Sequence, residues 1–279
     1  MKTIKKGTFI ALLFLLVSVF ALGVSITDVT GTSLNISTPP KRIVACVPSD
    51  SEMLFDLGLG DKVVGVNDWA NYPEAVTQIE KVGGSPLNIE KIISLKPDVV
   101  LANAGLVPQE IEKMRELGLV VLAINPTDLD STLETYLLVG KAFGVEVEAQ
   151  QLVSELTHRQ TKILPLEKKP RVFVEIWNDP LMTSGKGSLW DSLIEKAGGE
   201  NIGALAQGAY PVFSIEELIK QDPDLIILTN FNLEEAKNRP GYTILKDRLI
   251  EVDPSLYTYP TKRLWAGLEN LYEIFQKIQ

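Results

Sequence analysis

Asn88-Ile89-Glu90-Lys91-Ile92-Ile93-Ser94-Leu95-Lys96-Pro97-Asp98-Val99-Val100-Leu101 has a counterpart 126 residues further on, Ser214-Ile215-Glu216-Glu217-Leu218-Ile219-Lys220-Gln221-Asp222-Pro223-Asp224-Leu225-Ile226-Ile227. Five of the fourteen positions are identical, and four more are conservative apolar matches in the same order. Each copy reads as a cap residue, a short helix, a Pro-Asp turn and a buried strand. Asn88 and Ser214 suit the cap because a side-chain oxygen there accepts from an unpaired N–H of the first helical turn. The helix must stop before Pro97 or Pro223, since the residue preceding proline is pushed out of the α region. The apolar runs behind the prolines suit strands covered on both faces. The expectation is an α/β fold of two similar lobes, each showing one glutamate, Glu90 or Glu216, in the first turn of a helix.

With 279 residues, 45% hydrophobic and 23% charged, the chain can fill two modest cores. Lys2, Lys5 and Lys6 precede an apolar run over residues 9–22, and Ala21-Leu22-Gly23 offers small residues for a signal peptidase. Residues 1–23 are therefore expected to be a secretory signal, with a retained N-terminal anchor as the lesser alternative. No cysteine follows the run, so the expected location is periplasmic without a lipoprotein anchor. No later stretch has the ~20 continuous apolar residues of a spanning helix. Removal of the signal takes three lysines, which lowers the formal charge from −9 to about −12. Such a surface argues against nucleic acid or anionic lipid as partner. Cys46, the only cysteine, sits in an apolar run and is expected to be a buried, inert thiol.

Outward from the repeat, residues 24–41 suggest a small hairpin or arm, and 42–47 a first core strand. A capped turn at Pro48-Ser49-Asp50-Ser51-Glu52 leads into a short helix that stops at Gly58 or Gly60. A strand at 62–66 runs into a loop carrying Trp69 and Tyr72. Helices over 108–117 and 131–143 flank a strand at 120–124, and this alternation implies a parallel sheet with right-handed crossovers. Residues 146–164 read as one long helix with Ala149, Leu152, Val153, Leu156 and Ile163 on one face. At 1.5 Å per residue it would span ~28 Å, a rigid brace between lobes. The alternation then restarts with a strand at 171–176, a polar loop at 177–188, and helices at 189–197 and 233–238. A strand at 249–252 and a docked helix from Arg263 complete it. The expected division is an N-terminal lobe over 24–145, a connecting helix over 146–169 and a C-terminal lobe over 170–279. The lobes are Rossmann-like, each a parallel sheet flanked by helices.

Catalytic and metal constellations are thin. His158 is the only histidine and lies mid-helix, so a His-rich metal site or a Ser–His–Asp triad lacks its parts. Ser184-Gly185-Lys186-Gly187-Ser188 has Pro180 where a phosphate loop needs its first glycine, and Gly187 where it needs a hydroxyl. Gly58-Leu59-Gly60 lacks the third glycine of a dinucleotide fingerprint. No enzyme, metal site or intrinsic cofactor is expected.

Ligands of open α/β sheets sit beyond the carboxyl ends of the strands. Loops at such positions carry Trp69, Tyr72, Trp177, Tyr210, Tyr257, Tyr259 and Trp265, the makings of a cleft for a broad or ring-bearing ligand. Core packing accounts for each aromatic singly about as well. Arg263 would offer a fixed cation to an acidic ligand, and a surface charge at a helix start is its equal alternative. Glu90 and Glu216 each gain roughly 0.3–1 kcal/mol from the helix dipole. Ser214 and Glu217 read as a capping box, leaving Glu216 free to project. Matching free carboxylates on two lobes suit docking against arginines of a partner.

The ordered set Arg42-Ile43-Val44, Pro48-Ser49, Glu52, Leu57-Gly58-Leu59-Gly60-Asp61-Lys62-Val63-Val64-Gly65-Val66, Tyr72-Pro73, the first repeat and Thr183-Ser184-Gly185 with Ala197-Gly198-Gly199-Glu200-Asn201-Ile202 resembles the helical-backbone periplasmic binding proteins. These are the substrate-binding subunits of ABC importers for cobalamin, iron–siderophore and haem. The resemblance runs from about Thr27 to the end, and it implies two α/β lobes joined by one long helix. It further implies a monomer that delivers its ligand to a permease–ATPase complex, with Glu90 and Glu216 docking on permease arginines. It is closest to the cobalamin-binding branch, where Trp69, Trp177 and Tyr210 would line the cleft and Arg263 would lie near a ligand-contacting arginine. Tyr72, Tyr259 and Trp265 complete the expected ligand set. The chain departs from that branch at Gly83-Gly84-Ser85-Pro86, where a tryptophan is expected, and at Asn103, where another aromatic is expected. A ferric siderophore and a corrinoid are thus both expected ligands. A haem carrier using Tyr72, Tyr210, Tyr257 or Tyr259 as axial ligand, and an extracytoplasmic enzyme on the same scaffold, are the rival readings.

Overall fold

The computed structural model describes residues 23–229 and 233–278. The expected signal segment lies outside the described residues but for Gly23. An antiparallel ribbon, β1 (Val24–Thr27) and β2 (Ser33–Ile36), forms the expected N-terminal arm. The first lobe follows as β3 (Ile43–Ala45), α1 (Pro48–Asp56), β4 (Val63–Val66), α2 (Ile89–Ser94), β5 (Val99–Asn103), α3 (Pro108–Glu116) and β6 (Val121–Ile124). Its four strands are parallel in the order β4-β3-β5-β6. Two paired helices, α4 (Leu129–Phe143) and α5 (Glu146–Gln160), lead out of it. The second lobe contains β7 (Arg171–Asn178), β8 (Leu181–Thr183), α6 (Leu189–Lys196), β9 (Glu200–Asn201), α7 (Ile215–Gln221), β10 (Leu225–Leu228), α8 (Leu233–Lys237), β11 (Leu249–Glu251) and α9 (Arg263–Lys277). Strands β11, β10, β7 and β9 are parallel, while β8 turns back antiparallel on β7. The polar loop expected at 177–188 is therefore largely a hairpin. Its alternation was hidden because the pair is irregular between Glu175 and Trp177.

The two repeat copies fold alike down to single hydrogen bonds. The Asn88 side chain accepts from the Lys91 N–H at 2.9 Å, and Ser214 Oγ from the Glu217 N–H at 3.0 Å. Both helices end on a left-handed residue just before the proline, Lys96 (φ 48°) and Asp222 (φ 49°). The aspartates after the prolines then strap the neighbouring strand. Asp98 accepts from the Arg42 N–H at 2.9 Å, and Asp224 from the Arg171 N–H at 2.8 Å. Arg42 returns its guanidinium to the Leu95 carbonyl, and Arg171 to that of Gln221, the equivalent position. The reciprocal capping box expected of Glu217 is not made. Its carboxylate turns along the helix to Gln221 Nε2 at 2.7 Å and Lys220 Nζ at 3.3 Å.

The link between lobes differs from a lone brace of 19 residues. Helix α5 has 15 residues, about 22 Å at the usual rise, and it packs along α4. A Cβ on Gly140 would stand 2.3 Å from the Ala149 Cβ, so glycine is what lets these helices approach. One apolar core runs from Met53 through Tyr136 and Leu156 to Val174, Leu193 and Phe275, across both lobes. Separate clusters cover the outer faces of the two sheets. Ion pairs reinforce the junction: Arg159 grips Glu269 through two contacts of 2.8 Å, and Lys196 reaches Asp130 at 2.9 Å. His158 is exposed on α5, and Cys46 is buried as expected.

Candidate functional site

Where the first-lobe strands end, short polar residues face the second lobe. Asn103 closes β5, Asn125 and Thr127 follow β6, and Ser49 opens α1 just beyond β3. Opposite them stand Ser188 at the cap of α6, Tyr210, and Thr258 with Tyr259 ahead of α9. Together they enclose a cavity of about 520 Å³ between the lobes. A second hollow of about 180 Å³ shares Leu189, Tyr210 and Thr258 with it and deepens it into the second lobe. The larger cavity has the size typical of small-molecule sites. Its walls are amides, hydroxyls, two tyrosine rings and the apolar Leu106, Pro126, Leu189, Ala209 and Pro260, with no charged group, histidine or sulfur among the described residues.

These walls are held by their own hydrogen bonds. Asn103 Oδ1 accepts from the Gly105 N–H at 2.9 Å, and a Cβ on Gly105 would meet Asn125 Oδ1 at 2.5 Å. Across the cleft, Asp191 accepts from the Gly187 N–H at 2.9 Å and from Asn201 Nδ2 at 2.8 Å. Asn201 Nδ2 also donates to the Ser184 carbonyl at 2.9 Å, and the Ser184 and Ser188 hydroxyls are 2.6 Å apart. The Gly185 N–H donates to the Ala209 carbonyl at 2.8 Å, joining this loop to the one that carries Tyr210. The glycine-rich stretch rejected as a phosphate loop is thus a cleft wall.

Of the expected ligand residues, Tyr210 and Tyr259 line this cavity. Burial raises both phenols above the ordinary tyrosine value. Trp69 (60% exposed) packs its ring edge on Gly84, and Trp177 (51% exposed) donates its indole N–H to the Asp179 carbonyl at 2.9 Å. Neither belongs to the walls of this cavity. One expectation is corrected. Trp265 is 0% exposed, because it falls on the same face of α9 as Leu264, Leu268 and Leu271 and sinks into the shared core. Tyr257 is 2% exposed, stacked on Trp190 at 4.4 Å with its hydroxyl donating to Asn270 Oδ1 at 2.6 Å, and it borders the smaller hollow.

Arg263 is no free cation either. Its Nε and Nη2 donate to Glu52 Oε2 and Oε1 at 3.0 and 2.5 Å, and its guanidinium lies 4.5 Å from the Tyr72 ring centre and 5.9 Å from that of Tyr259. Glu52 Oε2 also accepts from Thr261 Oγ1 at 3.0 Å. One turn along α1, Asp56 accepts from the Tyr136 hydroxyl at 2.6 Å and pairs with Lys262 Nζ at 3.1 Å. Burial pushes the Glu52 and Asp56 carboxyls above their ordinary values against the pull of these donors. A belt of ion pairs therefore clasps α1 to the start of α9 beneath the cleft.

The sequence reading missed Ser49, Asn125, Thr127 and Ser188 as wall residues, and it marked Asn103 only as a missing aromatic. The signal that would find them is position, since all but Ser188 lie at or just beyond carboxyl ends of adjacent parallel strands. Glu90 and Glu216 are both exposed in the first turns of α2 and α7, with no ion-pair partner among the described residues.

A family model described as periplasmic binding protein matches residues 43–248. An uncharacterized ABC transporter substrate-binding lipoprotein of Bacillus subtilis, YvrC, is 33% identical over 268 residues, covering 90% of this chain and 84% of its own. The vitamin B12-binding protein BtuF of Vibrio cholerae superposes with a TM-score of 0.72 at 25% identity, covering 87% of this chain and 99% of its own. A possible iron-binding protein of Staphylococcus epidermidis superposes with a TM-score of 0.74 at 26% identity, covering 85% and 98%. With its twin repeats, its two sheets and the cleft between them, the chain belongs to the periplasmic binding protein family, as a substrate-binding protein of an ABC transporter.

Proposed function

We propose that this chain captures a bulky metal chelate, a ferric siderophore or a corrinoid, between its lobes and hands it to an ABC permease with its ATPase. The carrying observation is the inter-lobe cavity of about 520 Å³ with amide, hydroxyl and aromatic walls. Such walls offer no carboxylate, imidazole or thiolate to a bare metal ion, which favours a cargo whose metal arrives already coordinated. Amides and hydroxyls would pair with the polar rim of the chelate, while Tyr210 and Tyr259 cover its apolar faces. Trp69, Tyr72 and Trp177 would act at the mouth. The vitamin B12 and iron named for similar structures support this ligand class. A haem carrier with Tyr210 or Tyr259 as axial ligand is the second reading, because both phenols line the cleft.

In this reading the lobes run over 24–145 and 170–279 about the segment 146–169, and the chain acts as a periplasmic monomer without catalysis or an intrinsic cofactor. Glu90 and Glu216, exposed in their first helical turns, would dock on permease arginines. The test is native mass spectrometry with absorption spectra after incubation with cyanocobalamin, ferric hydroxamate, ferric catecholate and haem. Retention of a corrinoid or ferric chelate is expected. A Soret band alone would establish the haem carrier, conversion of a bound compound would establish an enzyme, and retention of none would overturn the reading. Reversing Glu90 and Glu216 to arginine should abolish uptake while leaving chelate affinity within about twofold, because rim charges far from a ligand act on association with the partner.

A further inference from the structure

We propose that Glu52 sets the charge selectivity of the cleft by silencing Arg263, a reading that rests on the chelate-binding function above. Tyr259 forms part of the cavity wall, and the Arg263 guanidinium lies 5.9 Å from the centre of its ring. Ser49, another wall residue, is one helical turn before Glu52 on α1. The pair thus lies just behind the cleft wall, between a residue of α1 and the first residue of α9. Glu52 occupies the Nε–Nη2 edge of the guanidinium with contacts of 3.0 and 2.5 Å, and this is an edge with which an arginine would grip an acid in two-point fashion. The two side chains are 3% and 16% exposed, so water screens the pairing little.

The consequence is electrostatic as well as steric. A paired Glu–Arg unit carries no net charge, and the walls in front of it carry none, so the cavity favours ligands of low net charge. An anionic chelate entering the cleft would find the nearby positive charge cancelled and the Glu52 carboxylate beside it. Tyr72 stacked on the guanidinium at 4.5 Å and Thr261 bound to Glu52 at 3.0 Å hold the pair in place, so an entering acid would have to compete against several contacts at once.

Dissociation constants of the purified full chain for uncharged cyanocobalamin and for a triply anionic ferric tris-catecholate test this, measured on the wild type, Glu52→Gln and Glu52→Gln/Arg263→Gln. The expected result is a shift of at least tenfold toward the anionic probe in Glu52→Gln, absent from the double variant. An unchanged ratio in Glu52→Gln would overturn the assignment. A second readout needs no ligand: phenylglyoxal modification of Arg263, mapped by mass spectrometry. Arg263 should resist the reagent in the wild type and react in Glu52→Gln, and wild-type Arg263 reacting as fast as the exposed Arg42 would overturn the proposal. Failure of the wild type to bind either probe would count against the chelate function, and the modification rates would then decide the role of Glu52 alone.

Discussion

Replacing Tyr136 by phenylalanine removes one oxygen from the junction of three helices. The ring is 0% exposed, and its hydroxyl donates to Asp56 Oδ2 on α1 at 2.6 Å while accepting from the Lys262 N–H, ahead of α9, at 2.9 Å. Phenylalanine keeps the packing, so no cavity term enters. A hydrogen bond to a charged group is lost, about 1.5–3 kcal/mol, and a backbone N–H is left without its partner, about 1–3 kcal/mol. The two losses share one oxygen and overlap, so the expected destabilisation is about 2–4 kcal/mol. For a chain of this length that lowers Tm by roughly 4–16 °C. Urea unfolding should show the same loss as a lower midpoint with an unchanged slope. The pH dependence has a defined sign. Burial raises the folded pKa of Asp56 above 3.8, and the Tyr136 hydroxyl pulls against that shift. A carboxyl with a raised folded pKa contributes most below its unfolded pKa and loses that contribution as pH rises through the folded value. Without the hydroxyl the folded pKa rises further, so the variant should lose more stability at pH 7 than at pH 4. A loss under about 0.5 kcal/mol, or one larger at pH 4, would refute this account of the junction.

Three further outcomes are expected. Trp265→Ala should cost about 3–5 kcal/mol, as for other buried aromatics, whereas Trp265→Phe should leave chelate affinity unchanged in a titration; a tenfold loss there would return the residue to the cleft. Gly105→Val should weaken chelate binding at least tenfold with little change in Tm, because its Cβ would meet Asn125 Oδ1 at 2.5 Å on the cavity wall. Unfolding should be a single transition by near- and far-UV circular dichroism, because one apolar core crosses both lobes. Two resolved transitions would mean that the lobes are stable apart.

The chain order of helices and strands was legible because each signal is local. A cap oxygen reaches only two or three residues, a proline restricts only its neighbour, and an apolar run declares a buried strand wherever it stands. The twin repeat therefore identified two like lobes, and the exposed Glu90 and Glu216 follow from their place in it. Which side chains face the cleft depended on contacts between distant parts of the chain. Glu52 and Arg263 meet across 211 residues, and no local pattern says that a helix-start arginine will be neutralised there. Trp265 and Tyr259 are both aromatics near that helix start, yet one lies in the core and the other in the cavity wall. Sequence determines what a residue can offer to its near neighbours; packing of the two lobes decides which of those offers remain open to a ligand.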